Sequence, residues 1–155
     1  ILRCDGGGEY LSKDFQTYLT NNGVRFEETL TNTPQQNGVA ERMWRTLFNA
    51  ARTMLIDSTL PPEFWKEAVI TAAYVHNRTT TKDPMSTKTP FELLTGNKPN
   101  ISYLRPFGIN LVFHNDADKL TKLAERGYQG QLLGYHENAK GYIVLNNANR
   151  RIVTA

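Results

Sequence analysis

Residues 33–42 read Thr-Pro-Gln-Gln-Asn-Gly-Val-Ala-Glu-Arg, and residues 2–10 read Leu-Arg-Cys-Asp-Gly-Gly-Gly-Glu-Tyr. The first stretch predicts a polar loop that leads into a helix over about residues 39–57. The second predicts the end of a buried strand that runs into a glycine-rich turn. Asp5 would then end a strand and Glu41 would lie in the first turn of a helix, with 35 residues between them. Two carboxylates on such rigid elements can converge on one divalent metal ion.

Each carboxylate also has an ordinary structural explanation. Asp5 is followed by glycines and suits a turn. Glu41 could be a capping-box glutamate favoured by the helix dipole, or the i,i+4 partner of Arg45. Taken one at a time, these explanations are the stronger ones, because a carboxylate spacing alone has little specificity.

The predicted helix over residues 39–57 has two different faces. Its apolar residues recur at spacings of three and four: Ala40, Met43, Trp44, Leu47, Ala51, Met54 and Leu55. At about 100° per residue, five polar residues share the opposite face: Glu41, Arg42, Arg45, Asn49 and Arg52. Cations beside a carboxylate site can hold nucleic-acid phosphates. A solvated helix face explains the same arginines equally well.

Composition bounds the class of protein. The chain has 155 residues and a single cysteine, which suits one medium domain or two small ones and excludes an internal disulfide or a multi-cysteine zinc site. No apolar run approaches the roughly 18 residues of a membrane span, and no secretory signal opens the chain. Because the chain starts at Ile1, we expect it to be a segment of a longer protein.

The remaining pattern predicts α/β organisation with a change of period after Leu104. Helices are predicted over residues 12–22, over 61–78 and after a capping box at 89–92. The second of these is predicted to bury Phe64, Trp65, Ala68, Val69, Ala72 and Ala73. Short strands are predicted over 24–30, 108–113, 131–135, 142–145 and 152–154. The natural division lies within 97–106, which gives predicted domains of 1–96 and 97–155.

Charge is distributed unevenly between these two predicted domains. Residues 1–96 hold 10 Lys/Arg against 11 Asp/Glu, a net charge of −1. Residues 97–155 hold 8 against 4, a net charge of +4, and the basic residues include Lys119, Lys122, Arg126, Arg150 and Arg151. A basic C-terminal domain is consistent with nucleic-acid contact.

The residues flanking the two carboxylates carry a family resemblance. In chain order they are Asp-x-Gly-Gly-Glu at 5–9, the stretch at 33–42, Arg45-Thr46-Leu47, Phe64-Trp65-x-x-Ala68, Asn77-Arg78, Thr89-Pro90-Phe91-Glu92, Gly96-x-Lys98-Pro99, Leu104-Arg105-x-Phe107-Gly108, Leu133-Gly134-Tyr135 and Lys140-Gly141-Tyr142. Together they resemble the integrase region of copia-type LTR retrotransposon Pol polyproteins over nearly the whole chain. Two departures are Gly6, where the family usually has asparagine, and Ile109, where it usually has cysteine.

This resemblance implies an incomplete RNase H-like integrase core, at residues 1–96, followed by a small SH3-like β module at 97–155. By carry-over, Asp5 and Glu41 would be the second and third metal-binding catalytic carboxylates, with Mg²⁺ or Mn²⁺ as cofactor in the intact enzyme. Arg42, Arg45, Asn49 and Arg52 would face DNA. The implied partners are element ends and target DNA, with no membrane. A homo-oligomer and a location in the nucleus or a cytoplasmic particle are implied for the intact protein.

The resemblance also implies that this segment lacks part of the active site. The family's first catalytic aspartate would lie upstream of Ile1, so we expect the chain alone to be inactive in strand transfer. The rival hypothesis is a non-catalytic nucleic-acid-binding or structural remnant of a transposon. A third, an RNase H-type nuclease of different purpose, shares the metal chemistry but is disfavoured by the copia-like flanks.

Overall fold

The computed structural model describes residues 1–4, 7–28, 34–79, 87–114, 127–136 and 141–155, with backbone alone at 34–37. The helices are α1 (Lys13–Asn21), α2 (Pro34–Ser58), α3 (Trp65–Arg78) and α4 (Pro90–Thr95). The strands are β1 (Leu2–Cys4), β2 (Phe26–Glu28), β3 (Asn110–His114), β4 (Gly127–Tyr135), β5 (Tyr142–Asn146) and β6 (Ile152–Thr154). Two compact units result, Ile1–Thr46 and Leu47–Ala155, and the division falls inside α2.

The first unit contains a parallel two-stranded sheet and α1. β1 pairs with β2, and Leu2, Arg3 and Cys4 lie opposite Phe26, Glu27 and Glu28. Helix α1 begins as predicted, because the Ser12 hydroxyl accepts a hydrogen bond from the Phe15 amide at 3.4 Å. Such a cap satisfies one of the amide groups that a helix start leaves without a partner. Leu19 is the buried apolar residue of α1.

Helix α2 corrects the prediction for residues 34–38. The sequence predicted a loop there, but the helix begins at Pro34. Proline is well suited to a first helical turn, since its missing amide hydrogen would have no partner there anyway. The predicted apolar stripe is fulfilled only in part. Ala51 is buried and Leu47, Met54 and Leu55 are half-buried, whereas Ala40, Met43 and Trp44 are exposed.

The core of the second unit joins helices to the C-terminal sheet. Its buried members come from α2, the segment before α3, α3 itself, the segment before β3, and strands β4 and β5: Ala51, Leu60, Phe64, Ala68, Ala72, Phe107, Leu133 and Leu145. The prediction was wrong for Trp65, which is 56% exposed. The buried residues Phe64, Ala68 and Ala72 recur every four positions and form one stripe. Trp65 is one position further round the helix and therefore lies at the edge of this stripe.

The four strands β3 to β6 form an antiparallel sheet in sequence order, close to the strands predicted after Leu104. The register of β4 against β5 shifts between Leu132 and Gly134. Leu133 at this shift accepts a buried hydrogen bond from the Thr71 hydroxyl on α3 at 2.8 Å. A bulge leaves its extra residue outside the hydrogen-bond ladder of the sheet. Here the Thr71 hydroxyl of α3 supplies the donor for the carbonyl of that residue, Leu133.

Helix α4 begins at the predicted place, with half of the predicted capping box. The Thr89 hydroxyl accepts from the Glu92 amide at 3.1 Å, and Gly96 closes the helix at φ 75°, a left-handed conformation that glycine adopts without strain. The two compact units do not correspond to family modules, so they do not test the predicted domain boundary between residues 96 and 97, which stays a prediction. None of the helices in the described ranges combines the length and the hydrophobicity that a membrane span requires.

Candidate metal and nucleic-acid site

The predicted carboxylates follow two neighbouring strand ends. β1 and β2 are parallel, and their last paired residues are Cys4 and Glu28. Asp5 comes directly after β1, and α2, which bears Glu41, is the next element after β2. In parallel sheets, ligands bind outside the carboxyl ends of the strands. The described chain therefore leaves β1 and β2 at the same sheet edge, and in sequence Asp5 follows the end of β1 and Glu41 follows the end of β2. Asp5 itself lies outside the described residues.

Glu41 matches neither of its structural explanations. It lies seven residues after Pro34, so it is about two turns into α2 and not in the first turn as predicted. A capping-box glutamate must occupy the third helical position, which excludes that role. The i,i+4 explanation also fails, since no ion pair joins Glu41 to Arg45 within the part of the chain described. Glu41 is an exposed carboxylate, and its role is not set by the helix.

The predicted phosphate-contacting residues are all exposed on α2. Arg42 and Arg45 belong to the first unit with Glu41. The Arg42 guanidinium reaches back along the helix, with Nη1 3.5 Å from the place that a Cβ at position 38 would occupy. Asn49 and Arg52 belong to the second unit, and Arg52 Nη1 donates to Asn49 Oδ1 at 3.5 Å. A bond this long between exposed groups leaves both side chains available to another partner.

An ion-pair group on the two-stranded sheet was missed by the sequence reasoning. Glu27 accepts from Arg3 Nη2 at 2.7 Å and lies 3.0 Å from Arg25 Nη2. The hydrogen bond from Arg3 and the charges of both arginines lower the pKa of Glu27 from its ordinary value. Its signal was the Arg-x-Glu spacing at 25–27. These two arginines already have a carboxylate partner, so Arg42 and Arg45 are the better candidates for phosphate contact.

The chemistry of Glu41 fits a hard metal ion, since Mg²⁺ prefers oxygen ligands and retains several waters. Among the described residues, no group of three or more His, Cys, Asp or Glu side chains is arranged to hold a metal ion. Asp5 lies outside the described residues. The donor set of Asp5 and Glu41 stays a prediction from the sequence.

The basic C-terminal residues fall into two groups. Lys119, Lys122 and Arg126 lie outside the described residues. Arg150 adopts φ 57° in the turn between β5 and β6. Its Nη2 lies 3.5 Å from Glu63 Oε1, and its guanidinium lies 5.6 Å from the Phe64 ring centroid. Arg151 beside it is exposed, so the turn presents cations to solvent.

The class of protein follows from the fold and from the comparisons together. A mixed helix and strand segment precedes an antiparallel sheet, and residues 111–155 match the family model described as the retroviral polymerase SH3-like domain. Over nearly its full length, the chain is homologous to the integrase region of retrotransposon Pol polyproteins, including copia-type transposons. The resemblance seen in the sequence is confirmed.

Three relatives give the extent of this homology. The Pol polyprotein of transposon TNT 1-94 from Nicotiana tabacum is 37% identical over 98% of this chain. The Ty1-LR3 Gag-Pol polyprotein from Saccharomyces cerevisiae is 32% identical over 93%, and the RE2 Pol polyprotein from Arabidopsis thaliana is 28% identical over 99%. The chain spans only 11%, 8% and 10% of these proteins.

A solved structure shows the same fold. A chain of the simian T-cell lymphotropic virus intasome, determined in complex with the PP2A regulatory subunit B56 gamma, matches with a TM-score of 0.53. The two are 19% identical, and the match covers 98% of this chain and 53% of the viral one. The predicted fold class, a partial integrase core followed by an SH3-like module, is confirmed.

Proposed function

We propose that this chain supplies two metal-binding carboxylates, Asp5 and Glu41, to a retrotransposon integrase that joins element DNA ends to target DNA. The observation that carries the proposal is the exposure of Glu41 together with its lack of a structural role in the helix. It is an exposed carboxylate two turns into α2, and the two structural roles that would explain it are absent. Homology to the integrase region of Pol polyproteins supports the same role.

Each residue has a distinct task in this proposal. When bound, Mg²⁺ or Mn²⁺ activates the attacking oxygen and stabilises the leaving oxygen of a phosphoryl transfer. Asp5, which follows β1 in sequence, and Glu41, on α2, would contribute carboxylate ligands to the metal. Arg42 and Arg45 bind backbone phosphates, which positions DNA without reading its sequence. Asn49 and Arg52, which belong to the second unit, also bind phosphates in this proposal.

The 155-residue chain by itself should bind DNA without joining it. Two carboxylates are too few to hold two metal ions against the mutual repulsion of the ions. The exposed cations of α2 and the turn at Arg150 and Arg151 still contact phosphates. This second function, a nucleic-acid-binding module without catalysis, is favoured by the sequence pI of about 9.0 and by the exposed arginines.

A joint assay separates binding from chemistry. The purified chain is titrated with duplex DNA at two salt concentrations, and joining of a terminal oligonucleotide to plasmid is followed with Mg²⁺ or Mn²⁺. We expect binding that weakens steeply with salt, since it arises from counterion release, and no joined product. Joining that disappears in Glu41→Gln would show that this chain is an enzyme by itself.

A charge-matched pair of variants locates the DNA contact. Arg42→Ala with Arg45→Ala should weaken binding and reduce the salt dependence by about two released counterions. Lys13→Ala with Lys66→Ala removes the same charge from exposed positions on α1 and α3, and we expect a smaller effect. Equal effects of the two pairs would show that binding follows net charge and not the α2 surface. Self-association and cellular location stay predictions.

A further inference from the structure

Four tyrosines from separate parts of the second unit form one cluster. Tyr74 lies on α3, Tyr103 on the segment between α4 and β3, Tyr135 on β4 and Tyr142 on β5. The Tyr135 ring is central, with centroids 4.7 Å from Tyr74 in a stacked pair, 5.8 Å from Tyr103 edge-on and 5.9 Å from Tyr142. Aromatic pairs at these separations attract one another in addition to burying surface.

The hydroxyls of this tyrosine cluster bond the backbone of the segment 97–107 at two of its residues, Tyr103 and Arg105. Tyr135 donates to the Arg105 carbonyl at 2.7 Å and accepts from the Arg105 amide at 2.9 Å. Tyr142 donates to the Tyr103 carbonyl at 2.8 Å, and the Tyr103 and Tyr74 hydroxyls bond to each other. The segment is therefore tied to β4 and β5 on one side and to α3 on the other.

Other contacts fasten the sheet along the length of α3. Just before the helix, Arg150 from the β5–β6 turn reaches Glu63 and lies over Phe64. In its middle, Thr71 bonds the carbonyl of Leu133 on β4. At its end, Tyr74 stacks on Tyr135. From Phe64 to Tyr74 the chain rises by about 15 Å, and contacts spread over that length resist rotation of the sheet about any single point.

The same end of α3 is also fixed to α4. Arg78 lies over the Tyr74 ring, with its guanidinium carbon 3.4 Å from the centroid, and 4.8 Å from the Phe91 centroid. Arg78 Nη1 also donates to the Tyr74 carbonyl at 3.2 Å. A guanidinium that lies over two aromatic rings is attracted electrostatically to both of them. α4 therefore shares the attachment that holds residues 97–107.

We propose that residues 97–107 are a rigid strap and not an interdomain hinge. In the second unit, α3, α4 and the sheet then move as one body, although sequence places the module boundary inside the strap. The SH3-like sheet cannot swing away from α3 at this point, and the cations of the β5–β6 turn keep a fixed position relative to α3. The proposal concerns motion and holds whether or not the chain binds metal or DNA.

Backbone dynamics of the full 155-residue chain test the strap directly. Nitrogen-15 relaxation should give order parameters near 0.85 for residues 97–107, equal to those of α3, whereas a flexible linker gives values below about 0.6. Hydrogen exchange should show the Arg105 amide protected, because it donates to Tyr135. Low order parameters in 97–107 beside rigid α3 and β4 would overturn the proposal, as would unprotected exchange at Arg105.

Variants then assign the protection to the tyrosine cluster. Tyr135→Phe keeps the ring and removes the hydroxyl, and we expect the Arg105 amide to exchange about tenfold faster, with the amides of β4 and β5 unchanged. Tyr18→Phe, at an exposed tyrosine on α1, is the control and should change nothing. If Tyr135→Phe loosens the sheet as well, Tyr142→Phe removes only the bond to the Tyr103 carbonyl. An unchanged segment 97–107 in both variants would contradict the role of these hydroxyls.

Discussion

The Thr71 hydroxyl on α3 donates a buried hydrogen bond to the Leu133 carbonyl on β4, at 2.8 Å. Leu133 lies where the register of β4 against β5 shifts, so a helix side chain satisfies a backbone group at an irregularity of the sheet. This bond connects a helix that the sequence assigns to the integrase core with a strand that it assigns to the SH3-like module. The stability of the second unit should depend on it.

Thr71→Val tests this dependence with little change of shape. The valine leaves the Leu133 carbonyl buried without that donor, and we expect the free energy of unfolding to fall by about 1–3 kcal/mol. Urea denaturation followed by circular dichroism measures it. Thr53→Val is the control, because its hydroxyl bonds the Asn49 carbonyl on the exposed side of α2, and it should change stability by less than about 0.5 kcal/mol. Equal effects in the two variants would remove the special role of Thr71.

A side chain at Gly134 should destabilise the protein. A Cβ there would lie 2.9 Å from Thr71 Oγ1, and overpacking of this kind costs about 1–3 kcal/mol. In the double variant Gly134→Ala with Thr71→Ala the crowding oxygen is gone, so the combined loss should be smaller than the sum by at least about 0.5 kcal/mol. Additive losses in the same denaturation experiment would contradict the close approach. Gly8→Ala, with open space around its Cβ, is the control.

Gly38 offers a test of where α2 begins. The structure has it inside the helix, and a Cβ there would meet Arg42 Nη1 at an ordinary 3.5 Å. We therefore expect Gly38→Ala to raise the free energy of unfolding by about 0.5–1 kcal/mol, since alanine is the better helix former. Gly23→Ala, at φ 65°, should lower it. If Gly38→Ala destabilised the protein like Gly23→Ala, residues 34–38 would be the loop that the sequence predicted.

The tyrosine cluster predicts a loss of stability in strong alkali. Burial and the hydrogen bond to Tyr103 raise the pKa of Tyr74 from 10.0 to about 12, and burial also raises the pKa of Tyr135. When the pKa of a group is higher in the folded protein than in the unfolded chain, its contribution to stability is fully present below the unfolded-state pKa. That contribution is lost as the pH rises through the folded-state pKa. The free energy of unfolding should therefore decrease between about pH 10 and 12. Tyr74→Phe should flatten this decrease, and an equally steep decrease in that variant would contradict the assignment.

Local sequence signals predicted the parts of the fold that local chemistry determines. Ser12 caps α1, the Thr89 hydroxyl caps α4, and the period-two pattern located the four C-terminal strands. The predicted start of α2 was wrong because Pro34 was interpreted as a helix breaker, although proline is equally suited to a first helical turn. The predicted burial of Trp65 was wrong because periodicity alone leaves the edge of a buried stripe uncertain by one residue.

Contacts between distant residues could not be predicted from the sequence. Neither the Thr71–Leu133 bond nor the tyrosine cluster has a local pattern, since each depends on how α3 packs on the sheet. The candidate site was predicted through its flanking motifs, and the structure corrected the helical position of Glu41. The positions of Asp5, Lys119, Lys122 and Arg126 lie outside the described residues, so their roles stay predictions.

The most direct test of the central claim is whether Asp5 and Glu41 share one metal ion. Mn²⁺ is titrated into the nitrogen-15-labelled chain, and paramagnetic broadening is recorded at every amide. We predict broadening centred together on the amides next to Asp5 and those near Glu41, lost in Asp5→Asn and in Glu41→Gln, and kept in the control Asp57→Asn near the other end of α2. Broadening around only one of the two carboxylates, or broadening that survives both substitutions, would contradict the shared site.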